Sequence, residues 1–341
     1  MAARRVLVAR LDSDGDVLLA GPAVRAVAAG ADRVVLLCGP AGRQAADLLP
    51  AVDQVLEWSA PWVVADPPPV RPAEVDALVG AVRAAAVTDA VVLTSFHQSA
   101  LPLALLLRLA GVGRITAISE DYPGSLLDVR HRVPELIPEP DRALSVAAAA
   151  GFVLPPGDDG LLRVRRPLPD VDALVGPGRY VVVHPGATVP ARACPPELAA
   201  DVVRTLARSL GHRVVVTGGP GERALTAQTS RDAGAVDLGG RTTFAELAAV
   251  LDGADAVVVG NTGPAHLAAA VGTPVVSLFA PTVPYEKWGP YGVPSVRLGD
   301  QHAPCRDTRA RQCPVPGHPC LSSVSAADVV GALAELEGIP A

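Results

Sequence analysis

Short apolar runs rich in valine recur along the chain, each followed by a polar turn and then a longer stretch with helical character. The first series predicts strands at Arg5–Ala9, Arg33–Cys38, Gln54–Trp58, Asp89–Thr94 and Arg114–Ile118. Helices are predicted between them at Val17–Ala29, Ala73–Ala86 and Leu101–Ala110. A loose region rich in Pro, Gly and Asp follows, from Leu154 to Pro177. The second series then predicts strands at Arg179–His184, Arg213–Thr217, Ala235–Leu238, Ala256–Val259 and Pro274–Phe279. Its helices are predicted at Pro196–Leu210, Arg223–Ala233, Thr243–Asp252 and Ser325–Glu337. Continuous apolar strands alternating with helices indicate parallel sheets covered on both faces. The expected class is α/β, with one doubly wound domain over residues 1–165, a second over 175–324, and a last helical segment over 325–341 that packs back on the first.

Composition narrows what such a chain can do. Half of the 341 residues are hydrophobic and 19% are charged, enough for two sizeable cores. Aromatics make up 3% and the net charge is −6, which excludes stacking platforms or a broad basic face for nucleic acid. The N-terminal apolar stretch Val6–Ala9 is broken by Arg10 and Asp12, unlike a signal peptide, and no apolar run is long enough to span a membrane. A cytoplasmic protein is expected, with peripheral contact to a membrane left open. Cys305, Cys313 and Cys320 lie near His302 and His318, but without a CxxC knuckle they read as loop thiols rather than a zinc site.

In open α/β sheets, ligands bind beyond the carboxyl ends of strands, and four unusual stretches fall there. LDSDGDV places Asp12, Asp14 and Asp16 around Gly15 after the first strand. Helix capping accounts for some of them, and one is a candidate general base. VVVHPGATVPARAC offers a tight turn at Gly186, then Thr188 and Arg192, a hydroxyl and a guanidinium suited to phosphate. TGGPGERA follows the next strand, with Gly218, Gly219 and then Glu222, either a first-turn acid or an acceptor for ribose hydroxyls. GNTGPAH begins a helix with Asn261, Thr262, Gly263, Pro264 and His266. Free N–H groups and the helix dipole make that start a seat for a diphosphate. No GxGxxG or Walker A loop is present, which counts against a dinucleotide-dependent oxidoreductase.

Taken together and in this order, DSDGDVLLAGPAVRAV, HPGATVPARACPPE, TGGPGE, DLGGRTTFAELAAVLDGADAVVVGNTGPAHLAAAVGTPVVSLFAPT and the trailing Cys-bearing segment resemble glycosyltransferase family 9, the ADP-heptose:lipopolysaccharide heptosyltransferase-like enzymes. The resemblance implies a GT-B architecture, two Rossmann-like domains facing across a cleft. It implies an enzyme: an inverting transfer of a sugar, heptose first, from a nucleotide-diphosphate donor such as ADP-heptose, with no metal and no cofactor. The partners it implies are that donor and an acceptor hydroxyl on a glycan or natural product. Asp16 matches the family's base. Thr188, Arg192, Thr262, Gly263 and His266 match its diphosphate site, Asn261 the position near the donor sugar, and Glu222 with Gly218 and Gly219 the nucleoside side. An acceptor would meet Ser95, His97, Gln98 and Glu120 in the first half. The chain departs from the family pattern at Asn261 (commonly Asp), Arg192 (usually Lys) and Cys194 (commonly Trp). These departures keep open a second reading, a non-catalytic nucleotide-sugar binding protein on the same scaffold.

Overall fold

A computed structural model describes residues 3–64, 66–209, 213–231 and 233–336. Leu210, Asp232 and residues 337–341, each part of an expected helix or terminal segment, lie outside the described residues. The chain divides into two compact units, Met1–Arg165 and Arg166–Ala341.

The first unit carries strands β1 (Arg5–Arg10), β2 (Arg33–Cys38), β3 (Gln54–Glu57), β4 (Asp89–Leu93), β5 (Arg114–Ile118) and β6 (Val129–His131). They form one sheet in the order β3-β2-β1-β4-β5-β6, parallel throughout. The second unit carries β7 (Tyr180–His184), β8 (Arg213–Val216), β9 (Val236–Asp237), β10 (Ala256–Gly260), β11 (Val275–Leu278) and β12 (Ser295–Leu298). Its order is β12-β11-β10-β7-β8-β9, again parallel. Each sheet runs outward from its first strand in both directions, the doubly wound order. The central strands are valine-rich because helices cover both faces, and β2 is buried from its second residue onward. Several strands begin on a charged residue at the rim, such as Arg33 or Arg114, before turning apolar.

This topology decides where chemistry can sit. The strand order reverses between β1 and β4 in the first sheet, and between β7 and β10 in the second. Loops leaving paired strands at such a point run to opposite faces and open a crevice between them. The loop after β1 holds Asp12, the loop after β4 holds Ser95 and Gln98, the loop after β7 holds Arg192, and β10 runs into Asn261 and the helix Gly263–Val271.

The structure differs from the sequence-based expectation in several places, among them the helix Arg43–Leu48, which was not expected. The expected helix Val17–Ala29 is two helices, Asp14–Leu19 and Gly21–Ala29, because Pro22 lacks the N–H that a continuous helix needs there. β6 and β12 are outermost strands, short and half-buried, so they lack the apolar run that marks the others. The helix Glu139–Ala149 was not expected. The expected last helix is present as Ala326–Leu336. Its apolar face fills the core of the second unit, where Val329, Ala332 and Leu333 join Val202, Val203 and Leu206 of the helix Pro196–Ser209.

Candidate active site

In the first unit the site is built around an arginine. Arg10 ends β1 after the apolar run Val6–Ala9 and is almost fully buried. Its guanidinium donates from Nη2 to Asp16 Oδ1 (2.6 Å) and to Ser95 Oγ (3.0 Å). Nε lies 3.1 Å from Asp12 Oδ2, and Nη1 lies 3.6 Å from Glu139 Oε2. Arg142, one turn further along the helix that Glu139 begins, lies 3.7 Å from the same Glu139 oxygen and donates to the Thr94 carbonyl. Burying this arginine is tolerable because carboxylates surround it. Together they hold Arg10 charged well beyond the ordinary arginine range, against the opposing effect of burial.

The three aspartates of DSDGD separate into distinct roles. Asp14 accepts the Ala45 N–H at 2.9 Å, a tie to the neighbouring helix Arg43–Leu48. Burial pushes its carboxyl up to about 6. Asp12 is also pushed up to about 6, by burial first, with Arg10 pulling the other way. Its Oδ1 accepts from Gln98 Nε2 (2.5 Å) and Ser95 Oγ (3.4 Å). Burial raises Asp16 too, but Arg10 and the hydrogen bonds from Ser13 outweigh it, and its carboxyl stays below the usual range. Asp16 is therefore a preformed carboxylate, oriented from two sides.

Ser95 and Gln98, expected on the acceptor side, are committed to Asp12 and Arg10. His97 is exposed with its ring edge-on to Phe96. Glu120 is exposed, and its backbone carbonyl accepts from Arg130. Arg10, Glu139 and Arg142 had no place in the sequence-based site. A charged residue closing an apolar strand just before three acids was the available signal for Arg10. Glu139 and Arg142 arrive from a distant segment and left none.

The second unit gathers its residues at the other switch point. Asn261 follows β10 and is buried, and its Nδ2 has no hydrogen-bond partner among the described residues. Thr262 is the N-cap of the helix Gly263–Val271 in extended conformation, and its hydroxyl makes no capping hydrogen bond. The helix start is thus not closed by its own cap, and Pro264 sits where a missing N–H costs little. His266 is buried within the first turns of that helix. Arg192 ends the 3₁₀ turn Pro190–Arg192 and donates from Nε to Thr282 Oγ1 at 3.4 Å. Its carbonyl lies against Gly260, where a Cβ would come within 2.7 Å of that oxygen. Thr188 is exposed in the same loop.

Glu222 follows β8, next to β7 in the sheet. Its carboxylate accepts the Gly219 N–H at 2.7 Å, and Oε2 lies 3.8 Å from His184 Nε2. His184 Nδ1 is 3.0 Å from Thr217 Oγ1. Burial lowers the His184 pKa, with Glu222 opposing. The Glu222 carboxylate reaches over Gly186, where a Cβ would be 1.8 Å from Oε1 and would displace that carboxylate. Gly218 is buried beside Thr226 and Glu222.

Comparison with known proteins supplies the family. The model of glycosyltransferase family 9 (heptosyltransferase) matches residues 126–318, more than half of the chain. The chain belongs to glycosyltransferase family 9. A lipopolysaccharide heptosyltransferase 3 from Escherichia coli is 34% identical over 165 residues, which is 46% of each protein, so the match spans about half the length of that relative. Among solved structures, a family 9 glycosyl transferase from Veillonella parvula covers 98% of the chain and 97% of its own, with a TM-score of 0.78 and 18% identity. E. coli ADP-heptose lps heptosyltransferase II covers 97% and 98%, with a TM-score of 0.74 and 18% identity. E. coli heptosyltransferase WaaC, solved with ADP-2-deoxy-2-fluoro heptose, covers 97% and 99%, with a TM-score of 0.71 and 22% identity. The family 9 chain therefore has the GT-B fold of these enzymes, two parallel six-stranded sheets each flanked by helices.

Among the described residues no helix is long and apolar enough to cross a membrane. Nor does any group of three or more His, Cys, Asp or Glu among them have the arrangement of a metal site. Burial pushes the Cys320 thiol, which is hydrogen-bonded with Cys305, up to about 12.

Proposed function

We propose that this family 9 chain is an inverting, metal-independent glycosyltransferase that moves heptose from ADP-heptose to a hydroxyl of a glycan or natural product. The observation that carries the reading is the helix start at the second switch point. There the uncapped Thr262-Gly263 turn lies beside a buried Asn261 amide nitrogen that has no hydrogen-bond partner among the described residues. A buried donor of that kind is costly unless a ligand uses it. The WaaC complex with an ADP-heptose analogue and the heptosyltransferase names of the relatives favour ADP-heptose as that ligand.

The chemistry follows from charge. A single displacement at the anomeric carbon forms a bond to the acceptor oxygen and breaks the bond to the diphosphate, leaving ADP. Asp16 accepts the proton of the attacking hydroxyl, and Arg10 and Ser13 hold it ionised for that purpose. Arg192, Thr188, His266 and the Thr262-Gly263 N–H groups stabilise the negative charge on the departing diphosphate. Positive charge and a helix dipole there take the place of a divalent cation. Asn261 binds a hydroxyl of the sugar, and Glu222 the ribose. His97 and Glu120 are exposed and meet the acceptor in this reading.

The test is calorimetric titration with a panel of sugar nucleotides in EDTA. The reading predicts that ADP-heptose binds and that EDTA changes nothing. Failure of every sugar nucleotide to bind would remove the diphosphate seat and the function with it.

A further inference from the structure

The family 9 reading gives Arg192 a role at the diphosphate but does not say what holds it there. Its turn has little rigidity of its own: three residues of 3₁₀ helix, closed by Arg192 N–H to Val189 O at 2.9 Å. The segment from residue 300 to 320, which carries Cys305, Cys313, Cys320 and His318, closes over that turn. The segment's ends are joined by Asp300 N–H to Cys320 O (2.9 Å), and Ala303, Cys305 and Cys320 anchor it in the core of the second unit. From that anchor it reaches Arg192 on two sides. Asp307 and Arg309 donate their N–H groups to Pro281 O (2.9 Å) and Thr282 O (2.8 Å), and Thr282 is the residue whose hydroxyl receives Arg192 Nε. On the other side both backbone groups of Ala191 are taken. Its N–H goes to Arg311 O at 3.0 Å, and its carbonyl lies 3.1 Å from His318 Nε2.

A carbonyl cannot donate, so His318 carries its proton on Nε2. Asp307, Arg309 and His318 all have positive φ (57°, 57° and 52°), a left-handed conformation that non-glycine residues adopt at some cost. The strain is concentrated where the segment meets Pro281, Thr282 and Ala191.

We infer that His318 is a positioning residue, which fixes the Arg192 turn through the Ala191 carbonyl so that the guanidinium is preorganised for a diphosphate. The inference rests on the proposed role of Arg192. It gives the Cys-bearing segment a function that needs no metal or disulfide. The conservative test is isosteric: a Gln amide places its nitrogen about where His Nε2 lies, whereas Asn is too short and Leu cannot donate.

The experiment titrates inorganic pyrophosphate and ADP into the full-length protein by calorimetry, and follows adenosine by ligand-observed NMR. It compares wild type, His318→Leu, His318→Asn, His318→Gln and Arg192→Gln. The expected result is that Leu and Asn weaken pyrophosphate and ADP by about tenfold, the effect of one well-placed hydrogen bond. Gln stays within about twofold of wild type, and adenosine is unaffected throughout. Wild-type affinity for pyrophosphate in His318→Leu or His318→Asn overturns the inference. So does a Gln variant as weak as Asn, or adenosine weakened alongside pyrophosphate, which marks a general structural role. Should His318→Leu not fold, the Asn–Gln pair decides. If Arg192→Gln binds pyrophosphate like wild type, or wild type binds neither pyrophosphate nor ADP, the diphosphate seat falls and the inference with it. If Arg192→Gln is weak and the His318 variants are not, the inference alone fails.

Discussion

Arg10 shows how one side chain sets the chemistry of its neighbours. It is shared among Asp12, Asp16 and Glu139, while Arg142 answers Glu139 from the same helix. With Asp12 ionised, Arg10's charge is divided, and Asp16 keeps some affinity for a proton. Protonating Asp12 removes one partner and turns more of that charge onto Asp16, which becomes a weaker base. Asp12 titrates at about 6, so turnover is expected to fall as the pH drops through that value. Asp12→Asn fixes the protonated charge at every pH. It should cut kcat by about three- to tenfold at pH 7.5 and flatten the limb near 6 in a pH–rate profile. A variant with the wild-type profile would show that Asp12 does not tune the base. The spacing DSDGD alone could not separate these roles. Which acid meets Arg10 and which meets Ala45 is decided by strand and helix ends far apart in sequence.

At the scale of elements, the approach of β10 to the Arg192 turn makes the sharpest demand. Gly260 closes β10 with no Cβ, and adding one would put it 2.7 Å from a backbone oxygen, which cannot swing aside. Gly260→Ala is therefore expected to weaken donor binding by about tenfold or more, read by calorimetry, by shifting Arg192. Unchanged affinity would mean that the turn relaxes freely. A second element contact tests stability. Arg25, on the helix Gly21–Ala29, donates to both oxygens of Asp158 at 2.7 and 2.8 Å, with both side chains buried. Those bonds hold Asp158 down at about 2, from 3.8. A depressed carboxylate contributes stability above its unfolded value and loses it as the pH falls through the folded one. Arg25→Met should thus cost about 3 kcal/mol at pH 7, and the gap to wild type should narrow from pH 4 toward 2 in chemical denaturation. A gap independent of pH would assign the loss to packing instead.

The same scale explains what was legible in the sequence. Central strands such as Arg33–Cys38 and Tyr180–His184 announce themselves because burial on both faces demands a local apolar run. The outer strands β6 and β12 face less of the core and carry no such run. The helix Glu139–Ala149 was hidden by Pro134, Pro138 and Pro140, which read as loop although Pro140 suits a first helical turn. The candidate residues near glycines and helix starts stood out in the sequence because backbone chemistry restricts those positions. The clamp around Arg10 was not, since its members meet only through the fold.

For the whole molecule, one design appears twice. Both sheets share the doubly wound order, and in both the distinctive residues lie at the strand-order reversal. The first unit offers a held carboxylate, and the second offers a helix start, an arginine and a buried amide. Under the proposed function, transfer would divide its labour by unit, with affinity for the donor in the second and proton removal in the first. The measurement that tests this most directly is ADP-heptose affinity and ADP release, taken side by side on wild type and Asp16→Asn. The account predicts an unchanged Kd for the donor with release slowed by about 10²-fold or more. Undiminished release from Asp16→Asn would contradict it.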